Sequence, residues 1–158
     1  MNEIVQLNSK IKLSEHFTLG EMTKSNSHPE IYNIPSHEAI ANMKRLCGWL
    51  EVLRERYNEK YGVGEEPIRI NSGYRSPQLN KAIHGVAGSN HMTGCAADIR
   101  VSGMEQLLRY AAILLGYADE SKQEFDELLI ERNSHGAIWL HFAVRAKDNR
   151  RKVMFINA

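Results

Sequence analysis

Residues 89–98 read Ser-Asn-His-Met-Thr-Gly-Cys-Ala-Ala-Asp and set an imidazole, His91, seven residues before a carboxylate, Asp98. A zinc ion in a hydrolytic site takes three protein ligands and keeps a fourth position for water. Imidazole nitrogens then stand at about 2.0–2.1 Å and carboxylate oxygens at about 2.0–2.2 Å. His141, in Trp139-Leu140-His141, offers the third donor. Two imidazoles and one carboxylate cancel one of the two metal charges, and the remainder acidifies bound water toward a pKa of about 7. Gly94 allows a sharp turn between the first two donors, and the small Ala96 and Ala97 allow close strand packing. Spacing alone makes either histidine equally a hydrogen-bonded core residue, so everything depends on whether the three meet.

The elements that must bring them together are legible in outline. Residues 1–35 read as an irregular arm with one short helix. Thr18 and Glu21 form a capping box for that helix, and 24–29 is loop chemistry. Apolar positions Ile40, Met43, Leu46, Cys47, Leu50, Leu53 and Tyr57 recur at helical spacing behind Ser36, and Gly62, Gly64 and Pro67 end that helix. A strand is expected over 68–70. Ser76 then caps a short helix with Pro77 at its first position. Asp98 falls in an alternating, β-branched stretch over 96–101 that predicts a strand. Ser102 and Glu105 suggest a second capping box, opening a helix that should stop near Gly116. Strands follow over 125–131 and 137–144, joined through 133–136, with a last strand over 153–156. Helices and strands in this order predict an α+β fold on a largely antiparallel sheet.

At 158 residues the chain suits one domain with a hydrophobic core, expected to span 1–158. A formal net charge of +1 argues against a dedicated nucleic-acid binder. Residues 145–152 hold five basic residues and one acidic, a solvated turn first and an anion-holding patch second. Two cysteines, Cys47 and Cys95, make neither a disulfide framework nor a thiolate metal site. The opening Met1-Asn-Glu-Ile-Val-Gln lacks the basic and apolar regions of a signal peptide. No apolar run approaches membrane-spanning length. Cytoplasmic synthesis, no membrane insertion and a monomer are the corresponding expectations.

Three motifs in order, Ser72-Gly-Tyr-Arg-Ser76, then Ser89-x-His91-x-x-Gly94-x-Ala96-x-Asp98, then Trp139-x-His141, resemble the D-Ala-D-Ala carboxypeptidase family of zinc peptidases, peptidase family M15. Leu13-x-x-His16-Phe-Thr-Leu-Gly-Glu-Met-Thr23 resembles the opening of that family's phage-associated branch. The resemblance runs from about residue 12 to about residue 156. It implies a hedgehog/DD-peptidase-like fold, with a small antiparallel sheet, helices on one side and one zinc site on the sheet. It further implies that His91, Asp98 and His141 are the ligands, and that Arg75 binds the substrate carbonyl and stabilises the oxyanion. Ser89 is expected to bind substrate or orient its loop.

Many family members carry a general base three residues before the last ligand. Here that residue is Ile138, which moves no proton, while water attack on an amide needs a base. Glu131 is the substitute, because 125–131 and 137–144 pairing as a hairpin would set it on the strand beside His141. The segment Phe125-Asp-Glu-Leu-Leu-Ile-Glu131 is also similar to the corresponding strand of hedgehog signalling domains. His135 near the hairpin tip is a second candidate for substrate contact or proton transfer. His16, His28, His37 and His84 offer no ligand spacing. The expected function is hydrolysis of peptide bonds in peptidoglycan stem peptides, of carboxypeptidase or endopeptidase type. The expected setting is phage or prophage lysis, acting on the wall after release. The rival is a non-catalytic, zinc-containing cell-wall-binding or phage structural module.

Overall fold

Alternation of residues along the strands Ala96–Arg100, Glu127–Arg132 and Ile138–Ala143 turns one sheet face to the core and leaves the other for chemistry. A computed structural model describes residues 9–25, 28 and 30–158. Its strands are β1 (Ile70–Ser72), β2 (Ala96–Arg100), β3 (Glu127–Arg132), β4 (Ile138–Ala143) and β5 (Lys152–Asn157), in the order β1-β2-β4-β3-β5. Helices α1 (Leu19–Thr23), α2 (His37–Tyr61), α3 (Pro77–Ala82) and α4 (Met104–Ser121) surround it, with a 3-10 helix at Asn90–Thr93. Residues 1–8 of the expected arm, and Asn26, Ser27 and Pro29 of its loop, lie outside the described residues.

One sheet face carries Ala97, Ile99, Leu128, Leu140 and Phe142, all buried, against α2 and α4. The long helix supplies Met43, Leu46, Leu50 and Leu53 to that core. Trp49 anchors it, with ring centroids 5.4 Å from Phe142 and 4.9 Å from Tyr117. Ser36 caps α2, its hydroxyl accepting from the Ala39 N–H at 3.1 Å, and the Thr18–Glu21 capping box closes on α1. The arm is tied down by Glu51 of α2, whose carboxylate meets the Ser14 hydroxyl at 2.6 Å and the His16 ring at 2.6 Å.

The sheet is largely antiparallel as expected, with β1–β2, β2–β4 and β3–β4 antiparallel and β5 laid parallel to β3. Three expectations need correcting. The expected box at Ser102 does not form. Gly103 is the N-cap without a side-chain bond, and the Ser102 N–H is taken by Gln106 Oε1 at 2.8 Å. Helix α4 runs through Gly116 to Ser121, because Tyr117 and Ala118 continue its core-facing stripe; Lys122, at φ 57°, ends it. Strand β1 begins at Ile70 rather than Ile68.

The turn at Gly94 is where helix and sheet constrain each other. Its φ is +77°, and a Cβ there would stand 2.4 Å from the Ala39 carbonyl oxygen. Left-handed backbone costs a non-glycine residue about 1–3 kcal/mol, and α2 leaves no room to relax. Gly94→Ala is therefore expected to lower the unfolding free energy by at least ~2 kcal/mol. Chemical denaturation checks this, and an unchanged midpoint and slope would refute the packing assigned to this turn.

Candidate metal centre

Strand register assembles the site. Asp98 on β2 lies directly opposite His141 on β4, and Ser72 on β1 lies opposite Asp98. On the other side of β4, Leu129 of β3 lies opposite His141. Side chains two residues apart share a strand face, so Glu127 and Glu131 flank His141 from β3. The Nδ1 of His141 stands 3.1 Å from Asp98 Oδ1 and 3.6 Å from Glu131 Oε1. Its Nε2 faces Glu127 Oε1 at 3.0 Å.

His91 arrives from the 3-10 helix. Its Nδ1–H donates to the Gly73 carbonyl at 2.6 Å. A carbonyl can only accept, so the proton sits on Nδ1 and the Nε2 lone pair is directed at the site. That Nε2 is 3.3 Å from Asp98 Oδ1. One donor atom each from His91, Asp98 and His141 fall within 4.8 Å of one another. Two imidazoles and a carboxylate suit a divalent ion such as zinc. Orientation supports the same fit, since His91 hands its other N–H to a carbonyl and His141 faces a carboxylate with its other nitrogen, as metal-bound histidines do.

The Ser-Gly-Tyr-Arg-Ser turn is stitched to the same histidine. While Gly73 accepts from the His91 ring, the Arg75 N–H donates to the His91 carbonyl at 3.0 Å. Behind the turn, Asn33 Nδ2 donates to the Thr23 and Tyr74 carbonyls at 2.7 and 2.8 Å, and its Oδ1 accepts from Ser76 N–H at 2.7 Å. Gly73 is required here, since a Cβ would stand 2.4 Å from the Met22 carbonyl oxygen. Arg75 reaches Ser89 Oγ at 3.4 Å, and the same hydroxyl accepts from His91 N–H at 3.2 Å. Ser89 thus orients both the loop and the guanidinium. One buried donor of this turn, Arg75 Nε, bonds to no protein atom among the described residues. A buried donor without a partner costs about 1–3 kcal/mol, so it has capacity for a ligand's oxygen.

Ile138 lies three residues before His141, an odd offset that turns it to the opposite face of β4, where it packs against the core. In this register a side chain at 138 does not share the His141 face, whereas Glu131 does. His135 lies exposed in the β3–β4 turn. Sequence reasoning passed over Glu127, although it shares Glu131's strand face, and over Asn33 and Asn90. The basic run is largely consumed by ion pairs. Arg145 and Arg150 both meet the fully buried Asp126, at 3.2 and 2.8 Å, and Arg151 meets Asp119 at 2.7 Å.

Burial alone would raise the Asp98 carboxyl, but the His91 and His141 rings hold it well below the usual carboxylate range. Glu127 is likewise lowered, its burial outweighed by His141. Glu131 goes the other way, raised by burial and by the Asp98 charge against the pull of His141 and Arg75. Burial lowers the Arg75 guanidinium. For His141 burial works against the proton, yet Asp98 and Glu127 push its pKa up to about 10.

The sequence profile of the family described as Peptidase M15 matches residues 15–126. A zinc D-Ala-D-Ala carboxypeptidase from Streptomyces albus G is 31% identical over 98 residues, 62% of this chain and 36% of that protein. The chain thus spans about a third of the length of the curated relative it matches.

The raised His141 value carries a linkage consequence. Without metal, its proton adds stability that is fully present below the ordinary value of 6.5 and lost as pH rises through about 10. A metal on Nδ1 must displace that proton. Zinc uptake near neutral pH is therefore expected to release about one proton from this group, and affinity should rise with pH. Calorimetry in buffers of differing ionisation enthalpy measures the release; buffer-independent heats would contradict it.

Proposed function

We propose, on the premise that this chain belongs to the Peptidase M15 family, that it is a zinc-dependent peptidase acting on peptide bonds of peptidoglycan stem peptides. We further propose that it works in phage or prophage lysis, as the similarity of residues 13–23 to the phage-associated branch suggests. The observation that carries the enzymatic reading is the convergence of the His91, Asp98 and His141 donors within 4.8 Å, with the Glu131 carboxylate 3.6 Å from the His141 donor nitrogen.

Zinc held by those three residues would supply Lewis acidity, acidifying water and polarising the scissile carbonyl. Glu131 takes the proton from the attacking water and returns it to the leaving amine. Burial and the Asp98 charge raise its pKa above the ordinary carboxylate value, the direction that favours a base working near neutral pH. Arg75, held by Ser89 and by its backbone bond to His91, presents a fixed guanidinium to the developing oxyanion. Such charge counts for more in the transition state than in the ground state.

The substrate is given room beside Arg75. A cavity of about 270 Å³ is lined by Lys24, Asn71, Ser72, Leu79 and Ile83 together with Arg75. Its two cations suit a peptide bearing carboxylates, and Leu79 and Ile83 give a wall for small aliphatic side chains. Among the described residues no helix is long and apolar enough to cross a membrane.

Digestion of purified cell wall tests the activity. New amino groups should appear, vanish with a chelator and return with zinc. Wall binding without release by zinc-loaded protein would favour a non-catalytic binding module instead. Glu131→Gln should keep its zinc while losing about 10²–10⁴-fold in kcat; undiminished turnover in that variant would remove Glu131 as the base.

A further inference from the structure

Glu127 has no part in the chemistry above, yet its carboxylate touches both halves of the metal centre. Its Oε1 faces His141 Nε2 at 3.0 Å and accepts from Asn90 Nδ2 at 2.6 Å. Asn90 immediately precedes His91 and opens the 3-10 helix that carries it. A single carboxylate oxygen therefore joins the β4 ligand to the segment bearing the other histidine.

The arrangement is braced from outside. Asn90 Nδ2 also donates to the buried Asp126 at 2.7 Å, and its Oδ1 accepts from Arg145 Nε at 2.9 Å. Asp126 is gripped by Arg150 through two side-chain bonds, at 3.0 and 2.8 Å, and Arg150 lies 3.5 Å from the other Glu127 oxygen. Asn90 and Asp126 are buried and Glu127 is mostly so. A carboxylate this enclosed, with its oxygens occupied by named donors, has little freedom to turn.

We infer that Glu127 is a positioning residue that sets metal affinity, by fixing the proton of His141 on Nε2 and bridging to His91 through Asn90. The inference rests on the metal site proposed above. With Nε2–H donated to Glu127, the Nδ1 lone pair is left for the ion, complementing His91, which keeps its proton on Nδ1 and offers Nε2. The two rings use opposite nitrogens, and each choice is enforced by a partner outside the donor set. Such outer partners are worth about 10–100-fold in metal affinity.

The test is zinc affinity, measured by competition with a chromophoric chelator, together with nitrogen NMR of the His141 ring in zinc-loaded protein. Glu127→Ala should weaken zinc binding about 10–100-fold and blur the tautomer of His141. Glu127→Gln keeps an acceptor of the same shape but no charge, so it should fall between the alanine variant and wild type, and it guards against a folding defect in the alanine variant. Arg151→Ala, which removes an ion pair to Asp119 away from the site, should leave affinity unchanged. Wild-type protein that binds zinc, with Glu127→Ala binding it equally well and the same His141 tautomer, would overturn the inference alone. Wild-type protein that binds no zinc would overturn the metal site itself, and the inference with it.

Discussion

The register between β2 and β4 is the constraint on which the site depends. Asp98 opposite His141 is one rung of a five-residue ladder running from Ala96–Ala143 to Arg100–Trp139. Because side chains alternate, sliding β2 by one residue would send Asp98 into the core and bring Ile99 out to the site. The core forbids that slip: Ala97, Ile99, Leu140 and Phe142 are each fully buried against the helices. Burial of one face thus places ligands on the other, and hydrophobic energy does the positioning that a metal site needs.

The second histidine comes from outside the sheet, so its imidazole approaches Asp98 from a different direction than His141 does. The 3-10 helix supplies that direction. Gly94 turns the chain back into β2, and the Ser-Gly-Tyr-Arg-Ser turn grips His91 by ring and backbone together. One consequence is that Arg75 is placed by the same bonds that place a ligand. Its position relative to the donors is inherited from the turn rather than achieved by side-chain contacts alone.

What could be read from the residues follows from how local each signal is. The N-caps at Thr18, Ser36 and Ser76, the long α2 stripe and the alternation around Asp98 are short-range, and the elements formed where they pointed. Glu131 was legible because a hairpin places it beside β4 by counting. Two kinds of feature were not. The parallel β5 depends on where the chain returns after β4, which no local pattern encodes. The roles of Asn33, Asn90 and Glu127 depend on partners 10 to 55 residues away in sequence. A polar residue in a loop or strand gives no sign of which backbone it will hold. Gly116 misled for the opposite reason, because a local helix breaker was overridden by the packing of Tyr117 and Ala118.

Charge explains why the cluster is built from so many acids. Asp98, Glu127 and Glu131 surround His141, and Arg75 is the guanidinium whose field reaches both Asp98 and Glu131. Buried like charges this close are costly unless something positive lies among them. A proton on His141 serves that purpose in part, which is why the carboxylates raise its pKa so far. A divalent cation serves it better, being drawn by all three carboxylates while bound directly by one. The excess acid also divides the labour. Asp98, stabilised by both histidines, stays ionised and suited to ligation, whereas Glu131 bears the repulsion of Asp98 and is raised toward the range where a carboxylate can exchange protons. The pKa values of two carboxylates on one sheet face are thereby shifted in opposite directions, and that separation is what a ligand and a base sharing one small site require.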